Sequence, residues 1–167
     1  MVERDNMSTS NDSLTERVQN SFKQLSVASS QLNAVSDELG KLIAQLESEL
    51  KKLNLGIEGW VQIDGGSSDP NGHEWWSRNV GYAKVDGKWG IALRSASGDV
   101  RSPEYDDSDT KLFNEAPRDL RIAAIDKIPD LLEKLSAAAE ATTKEIKGKL
   151  GKVQQVVAAV SAAAPRK

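Results

Sequence analysis

The stretch from Val80 to Arg94, VGYAKVDGKWGIALR, marks a β-hairpin in the middle of the chain. An Asp-Gly pair between two apolar runs is a strong signal for a two-residue type I′ turn, because both central residues need positive φ. Such a turn also fixes the register: Val85 faces Lys88, and the pairing continues outward until Val80 faces Leu93. The sequence therefore predicts two antiparallel strands with a defined pairing.

The two faces of this hairpin carry side chains of different size. The bulky face holds Val80, Tyr82, Lys84, Trp89, Ile91 and Leu93, and we expect it to face a core. The opposite face, called the small-residue face, has Gly81, Ala83, Gly90 and Ala92 at its centre. Small residues allow another backbone or a helix to approach closely. We expect a helix of this chain, such as the segment after Pro117, to lie there, and a binding partner is the alternative.

Composition separates this hairpin region from both flanks. Seven of the eight aromatic residues lie between residues 55 and 116, and nine of the twelve glycines lie between Gly56 and Gly98. Formal charge changes as well, from −2 over residues 1–54 to −5 over residues 55–116 and +4 over residues 117–167. We therefore expect a β block over residues 56–113, with turn formers at 64–73 and a short fourth strand at Val100 and Arg101.

The N-terminal flank predicts one long helix over residues 13–55, after a disordered tail over residues 1–12. Ser13 and Glu16 have the spacing of a capping box. Apolar residues then recur every seven positions, which is typical of a helix that packs in a coiled coil. These residues are Val18, Leu25, Leu32, Leu39, Leu46 and Leu53.

The C-terminal flank repeats the seven-residue period over residues 114–164. Its apolar positions are Ile125, Leu132, Ala139, Ile146, Val153 and Val160. Pro129 interrupts the pattern, because proline inside a helix removes a hydrogen bond and clashes with the preceding turn. We expect a helix that opens near Pro117 and is kinked or restarted at Pro129.

Together these patterns predict an α+β, mainly helical fold. Two long helices form an antiparallel coiled-coil-like hairpin, and a three- or four-stranded antiparallel β-meander is inserted between them. Self-association, as a homodimer or higher oligomer through the helices, is expected to hide flanking apolar residues such as Ile43, Leu50 and Leu131. The function that fits best is a non-enzymatic interaction or scaffold protein.

The aromatic β block is a candidate surface for a protein partner. The residues singled out for partner binding are Trp60, His73, Trp75, Trp76, Arg78, Gly81 and Gly90. An alternative is a small-molecule or carbohydrate-binding protein or enzyme that uses His73, Glu74, Trp75 and Arg78. A third hypothesis is weak nucleic-acid binding through the lysine run at Lys144, Lys147, Lys149 and Lys152, which lacks interleaved aromatic residues.

Several chemistries find no support in the sequence. The chain has no cysteine and a single histidine, and its formal net charge is −3. No glycine-rich phosphate loop and no metal-ligand spacing is present, so no catalytic residue, metal or cofactor is predicted. No apolar run is long enough to span a membrane. A cytoplasmic protein without a membrane partner is the expectation.

Overall fold

The structure is a computed structural model that describes the backbone of residues 5–163 and the side chains of residues 13–163. Within that range it contains three α-helices and a four-stranded antiparallel sheet, which agrees with the expected mixture of helix and sheet. The elements in chain order are α1 (Asp5–Lys52), β1 (Gly59–Ser67), β2 (Glu74–Val85), β3 (Lys88–Asp99), β4 (Asp107–Leu112), α2 (Arg118–Ile125) and α3 (Ile128–Ala163).

The chain divides into two units, Met1–Ala44 and Gln45–Lys167. In the first unit the described residues all belong to α1, which begins at Asp5, ahead of the expected start at Ser13. No proline or glycine lies between these two residues, so the helix continues through Ser13 instead of being capped there. Residues 1–4 of the expected tail lie outside the described residues.

The central hairpin has the register that the sequence predicts. In β2 and β3, Val85 pairs with Lys88, and the pairing runs without a shift to Glu74 and Asp99. The turn residues Asp86 and Gly87 have φ values of 48° and 81°. Positive φ at both positions is what a type I′ turn requires, because it matches the right-handed twist of the strands.

The outer strands differ from the expectation. β1 pairs with β2 and continues to Ser67, into the segment expected to be a loop, after a register shift between Gln62 and Asp64. The fourth strand is Asp107–Leu112, not Val100 and Arg101. Val100 instead donates its backbone N–H to the carbonyl of His73, which holds it in a turn. The acidic residues of β4 are tolerated because an edge strand leaves alternate side chains in solvent.

The core of the second unit lies on the bulky face. Val80, Ile91 and Leu93 are at most 1% exposed. α2 and the first turns of α3 pack on this side: a Cβ at Gly59, which pairs with Tyr82, would lie 2.9 Å from a methyl of Leu135. The chain forms two separate helices here, since α2 ends at Ile125 and α3 begins at Ile128, one residue before Pro129. Proline is well tolerated in a first turn, where its missing N–H has no intrahelical partner.

The small-residue face is covered by residues of this chain. A Cβ at Gly81 would overlap the ring of Trp60, and a Cβ at Gly90 would lie 3.0 Å from both Glu47 and Leu112. Ala92 is fully buried. Glu47 of α1 is thus a helical residue that reaches this face. The suggestion that the segment after Pro117 covers it is wrong, since α2 lies on the bulky face.

Candidate functional site

The seven residues singled out for partner binding do not form one site. Trp60, Gly81 and Gly90 belong to the small-residue face, where both glycines are buried. His73 lies in the connection between β1 and β2. The remaining three lie on β2 and are Trp75, Trp76 and Arg78.

Three of the tryptophans lie directly opposite a glycine on the neighbouring strand. Trp60 pairs with Gly81, Trp76 with Gly66, and Trp75 with Gly98. In each pair a Cβ on the glycine would fall within 3.4 Å of the partner's indole ring. The rings therefore lie over bare backbone and contribute to the stability of the sheet. Trp76, at 38% exposed, is the most accessible large apolar residue among them.

Trp60 is held from both sides. Its inner side lies over Gly81, and the guanidinium of Arg94 lies 3.8 Å from the centre of its ring. Arg94 in turn donates from Nε to the hydroxyl of Thr110 at 3.1 Å. This arrangement links all four strands, and it leaves little of the Trp60 ring free for a ligand to stack on.

Arg78 joins three elements through ion pairs. Its guanidinium donates to both carboxylate oxygens of Asp64 on β1, with Nε 2.7 Å from Oδ1, and it lies 3.5 Å from Asp119 on α2. The hydrogen bond from Arg78 lowers the pKa of Asp64 below its ordinary value. The guanidinium is thus engaged in holding α2 to the sheet.

His73 lies in a loop that is fixed by acidic side chains. Its Nδ1 is 3.4 Å from Asp69, and Asp69 also accepts the backbone N–H of Glu74 at 2.8 Å. In the neighbouring turn, hydrogen bonds from the side chain and backbone of Arg101 lower the pKa of Asp99 to about 2. Among the described residues, no group of three or more His, Asp or Glu side chains is placed to hold a metal ion. The contacts of Asp69 and Asp99 thus order the β1–β2 connection and the turn after β3.

A larger candidate surface runs along the two long helices. Thirteen large apolar side chains are 48–69% exposed and lie at the first, fourth or fifth position of heptads counted from Val18 on α1 and Ile146 on α3. On α1 they are Leu14, Val18, Phe22, Leu25, Leu32, Val35 and Leu42, and on α3 they are Ile146, Leu150, Val153, Val156, Val157 and Val160. We call these two sets the apolar stripes. The pairing of the two helices with each other stays a prediction.

Toward the sheet, the residues of the long helices that are buried differ from those expected. Ile43, Leu50 and Leu131 are buried within the single chain, so the expectation that self-association hides them is wrong. Leu53 and Leu132, expected in the seam, are 64% and 37% exposed. At Leu50 and Leu131, both in the unit that contains the sheet, the buried side differs from the heptad positions because the heptad pattern describes a helix that packs only on helices.

Sequence reasoning missed a cleft at the tip of the hairpin. Its lining includes Tyr82 and Trp89, which were assigned to the core, Lys88, which was named only as the partner of Val85, and Lys51, which was not considered. The sequence shows one wall of this cleft, with Lys88-Trp89 directly after the turn and Tyr82 at the diagonal position across the strand pair, but it does not show that Lys51 lies opposite.

Comparisons with known proteins give no match from which a function could be assigned. The chain matches no protein-family model, and no significant match is found among curated proteins or solved structures. Among the described residues, none of the helices combines the length and the apolar content that crossing a membrane requires.

Proposed function

We propose that this protein is a non-enzymatic scaffold that self-associates through the apolar stripes of α1 and α3. In the assembly, α1 and α3 pair as an antiparallel coiled coil, and a second copy of the chain supplies two further helices. The observation that carries the proposal is the exposure of thirteen large apolar side chains at heptad spacing.

The width of the stripes supports a second copy as the occupant. A two-stranded coiled coil needs only two apolar positions per heptad, whereas helices of a larger bundle use three. Counting from Val18 and Ile146 as first positions, the stripes include the fifth position of the heptad, at Phe22, Leu150 and Val157. On α3, where both fifth positions after Ile146 are apolar, the stripe is wider than one partner helix covers.

The stripes also present a large apolar surface. Full burial of one aliphatic side chain contributes about 1.5–3 kcal/mol at about 25 cal/mol per Å², which corresponds to roughly 60–120 Å². Thirteen side chains that are somewhat more than half exposed then present on the order of 700 Å² per chain. Pairing of α1 with α3 would cover part of this surface, and a second copy of the chain would cover the rest.

The test is the molar mass of the full chain by light scattering after size exclusion. We expect the mass of two chains or more for the natural sequence and the mass of one chain for Leu32→Glu, because a charge in the stripe opposes burial. Ser30→Glu is the matched control, since it adds the same charge on the other side of α1 and should keep the assembly.

A second pair of variants tests the α3 stripe in the same way. Val153→Glu should dissociate the assembly, and Ala158→Glu, which lies off the stripe and is also exposed, should not. A single-chain mass for the natural sequence, or equal loss of assembly in test and control variants, would show that the stripes do not mediate self-association.

A further inference from the structure

A cleft of about 410 Å³ opens between the end of α1 and the tip of the β2–β3 hairpin. It is built from the last turn of α1, the connection to β1, and the two strands next to the turn. The residues that line it are Lys51, Asn54, Leu55, Gly56, Tyr82, Lys88 and Trp89. All of them belong to the unit that contains the sheet.

Two backbone features shape the cleft. Asn54 and Gly56 have φ values of 48° and 62°, and these left-handed conformations turn the chain sharply after α1. On the other side, the rings of Tyr82 and Trp89 stack with a centroid distance of 5.3 Å and an interplanar angle of 21°. Tyr82 is buried and Trp89 is half-buried, so the stacked pair gives the cleft a flat, rigid aromatic wall.

The charge of the lining is opposite to that of the surrounding chain. Two lysines line the cleft and no carboxylate does, although residues 55–116 carry a formal charge of −5. Lys88 is exposed, and Lys51 lies 3.9 Å from Glu47, at the outer limit of an ion pair. Burial, together with the nearby charge of Glu47, raises the pKa of the Tyr82 hydroxyl above its ordinary value.

We propose that this cleft binds a small organic anion with an aromatic ring, the ring lying against Trp89 and the carboxylate between Lys51 and Lys88. The volume is within the range of small-molecule sites, about 300–1,000 Å³. An aromatic wall supplies apolar contact in a fixed orientation, and two ammonium groups favour an anion over its neutral analogue. The proposal does not rest on self-association, because the cleft is formed by residues of a single unit.

This ligand chemistry has two sources: a free aromatic carboxylic acid, or the C-terminal aromatic residue of a peptide. The probes are therefore indole-3-acetate for the first and N-acetyl-tryptophan for the second, each paired with its amide, which keeps the ring and removes the charge. Binding to the full chain is followed through the indole N–H signals in a ¹H–¹⁵N spectrum, with the Trp89 signal assigned from Trp89→Phe.

We expect saturable shifts of the Trp89 signal with at least one acid, with a Kd of about 1 mM or below. The corresponding amide should bind about tenfold more weakly or worse. The acid that binds more tightly identifies the source. No saturable shift with either acid, or equal binding of acid and amide, would overturn the proposal.

Charge-removing variants locate the site. The double variant Lys51→Gln, Lys88→Gln should weaken binding of the acid about fivefold or more, toward the affinity of the amide. The double variant Lys52→Gln, Lys84→Gln removes the same charge from neighbouring residues outside the cleft lining and should bind like the natural chain. Equal losses in the two double variants would mean that only net charge matters, which would also overturn the proposal.

Discussion

At the scale of single residues, the sheet is organised by tryptophans that lie over glycines. An indole ring on one strand covers the backbone of the strand next to it, where a side chain would otherwise stand. Aromatic rings that shield a facing glycine in this way are known to stabilise sheets. The concentration of both residue types in one block of sequence therefore has a structural cause, namely the three Trp–Gly pairs.

Gly81→Ala should destabilise the protein by about 3 kcal/mol, at the upper end of the usual cost of overpacking. The added methyl group overlaps the Trp60 ring and lies 2.7 Å from the carbonyl oxygen of Gly59, so both the ring and the backbone must move. Gly66→Ala is the control, since the nearest atoms to its methyl would be those of the Trp76 ring, at 3.4–3.6 Å. Denaturant unfolding measures both, and equal stabilities would contradict the packing described.

Glu47 gives a prediction that depends on pH. Burial raises its pKa above the ordinary value of 4.5, and the hydrogen bond from the Ile91 N–H and the charge of Lys51 offset only part of this. A carboxyl group whose pKa is raised by folding adds stability below its unfolded pKa and loses it as pH rises through the folded pKa. The charged form of Glu47 is thus a cost at neutral pH.

Glu47→Gln should therefore be more stable than the natural chain at pH 7 and equal to it near pH 4, because the amide oxygen still accepts the Ile91 N–H. Glu47→Ala should be less stable at both pH values by about 1–3 kcal/mol, since it leaves that N–H without its acceptor. Urea unfolding at the two pH values tests this. The prediction is wrong if the stability of Glu47→Gln, measured relative to the natural chain, is lower at pH 7 than at pH 4.

At the scale of elements, the hairpin extends beyond both of its neighbouring strands. β1 begins opposite Tyr82 and β4 ends opposite Ala92. The outward-facing backbone groups of the residues next to the turn therefore have no neighbouring strand. Two glutamates accept hydrogen bonds from these groups: Glu58 accepts the backbone N–H of Lys84 at 3.3 Å, and Glu47 accepts that of Ile91 at 2.8 Å. Covered edges of this kind keep a projecting hairpin from pairing with another chain.

The elements that the sequence predicts well are those fixed by local chemistry. Asp86-Gly87 determines the hairpin register because only certain residues adopt two positive φ values in succession. Pro129 similarly indicates where a helix must restart. β4 could not be recognised, since its acidic sequence has low strand propensity and it forms through pairing with β3. The buried side of α1 was also misplaced, because contact with Gly90 and Ile91 decides it, and periodicity contains no information on that contact.

Two glycines in α3 offer a direct test of helix propensity. A methyl group at Gly148 or Gly151 would meet no atom within 4 Å. Each change to alanine should therefore stabilise this part of α3 by about 1 kcal/mol, through propensity alone. Stronger circular dichroism at 222 nm and slower amide hydrogen exchange around these positions would be the expected result.

Gly72→Ala is the matched control for these two changes. Gly72 also has open space around it, but its φ is +72°, which an alanine adopts only with strain. This substitution should destabilise the β1–β2 connection, so the same chemical change has opposite effects at the two kinds of position. Gain of stability at Gly72, or none at Gly148 and Gly151, would contradict the backbone geometry described.

At the scale of the whole molecule, the two kinds of surface differ in how far the sequence reveals them. The apolar stripes could be predicted, because heptad spacing is a property of one helix. The cleft could not, because it depends on the turn at Asn54 and Gly56 that brings Lys51 near Trp89. The tryptophans attracted a functional interpretation from the sequence, yet three of the four lie over a glycine of the neighbouring strand. Function is thus better sought in the exposed stripes and in the cleft.

The molecule should unfold in two separable steps if the stripes are buried by assembly. All four tryptophans lie between residues 60 and 89, so their fluorescence reports on the sheet, whereas circular dichroism at 222 nm reports mainly on the helices. Raising the protein concentration about fifty-fold should increase the Tm of the dichroism signal, because association stabilises what it buries. The fluorescence transition should move less, since the sheet has a core within one chain. In Leu32→Glu the dichroism transition should lose its concentration dependence and the fluorescence transition should stay unchanged. A natural chain whose dichroism Tm is the same at both concentrations would show that its helices are stable without a partner.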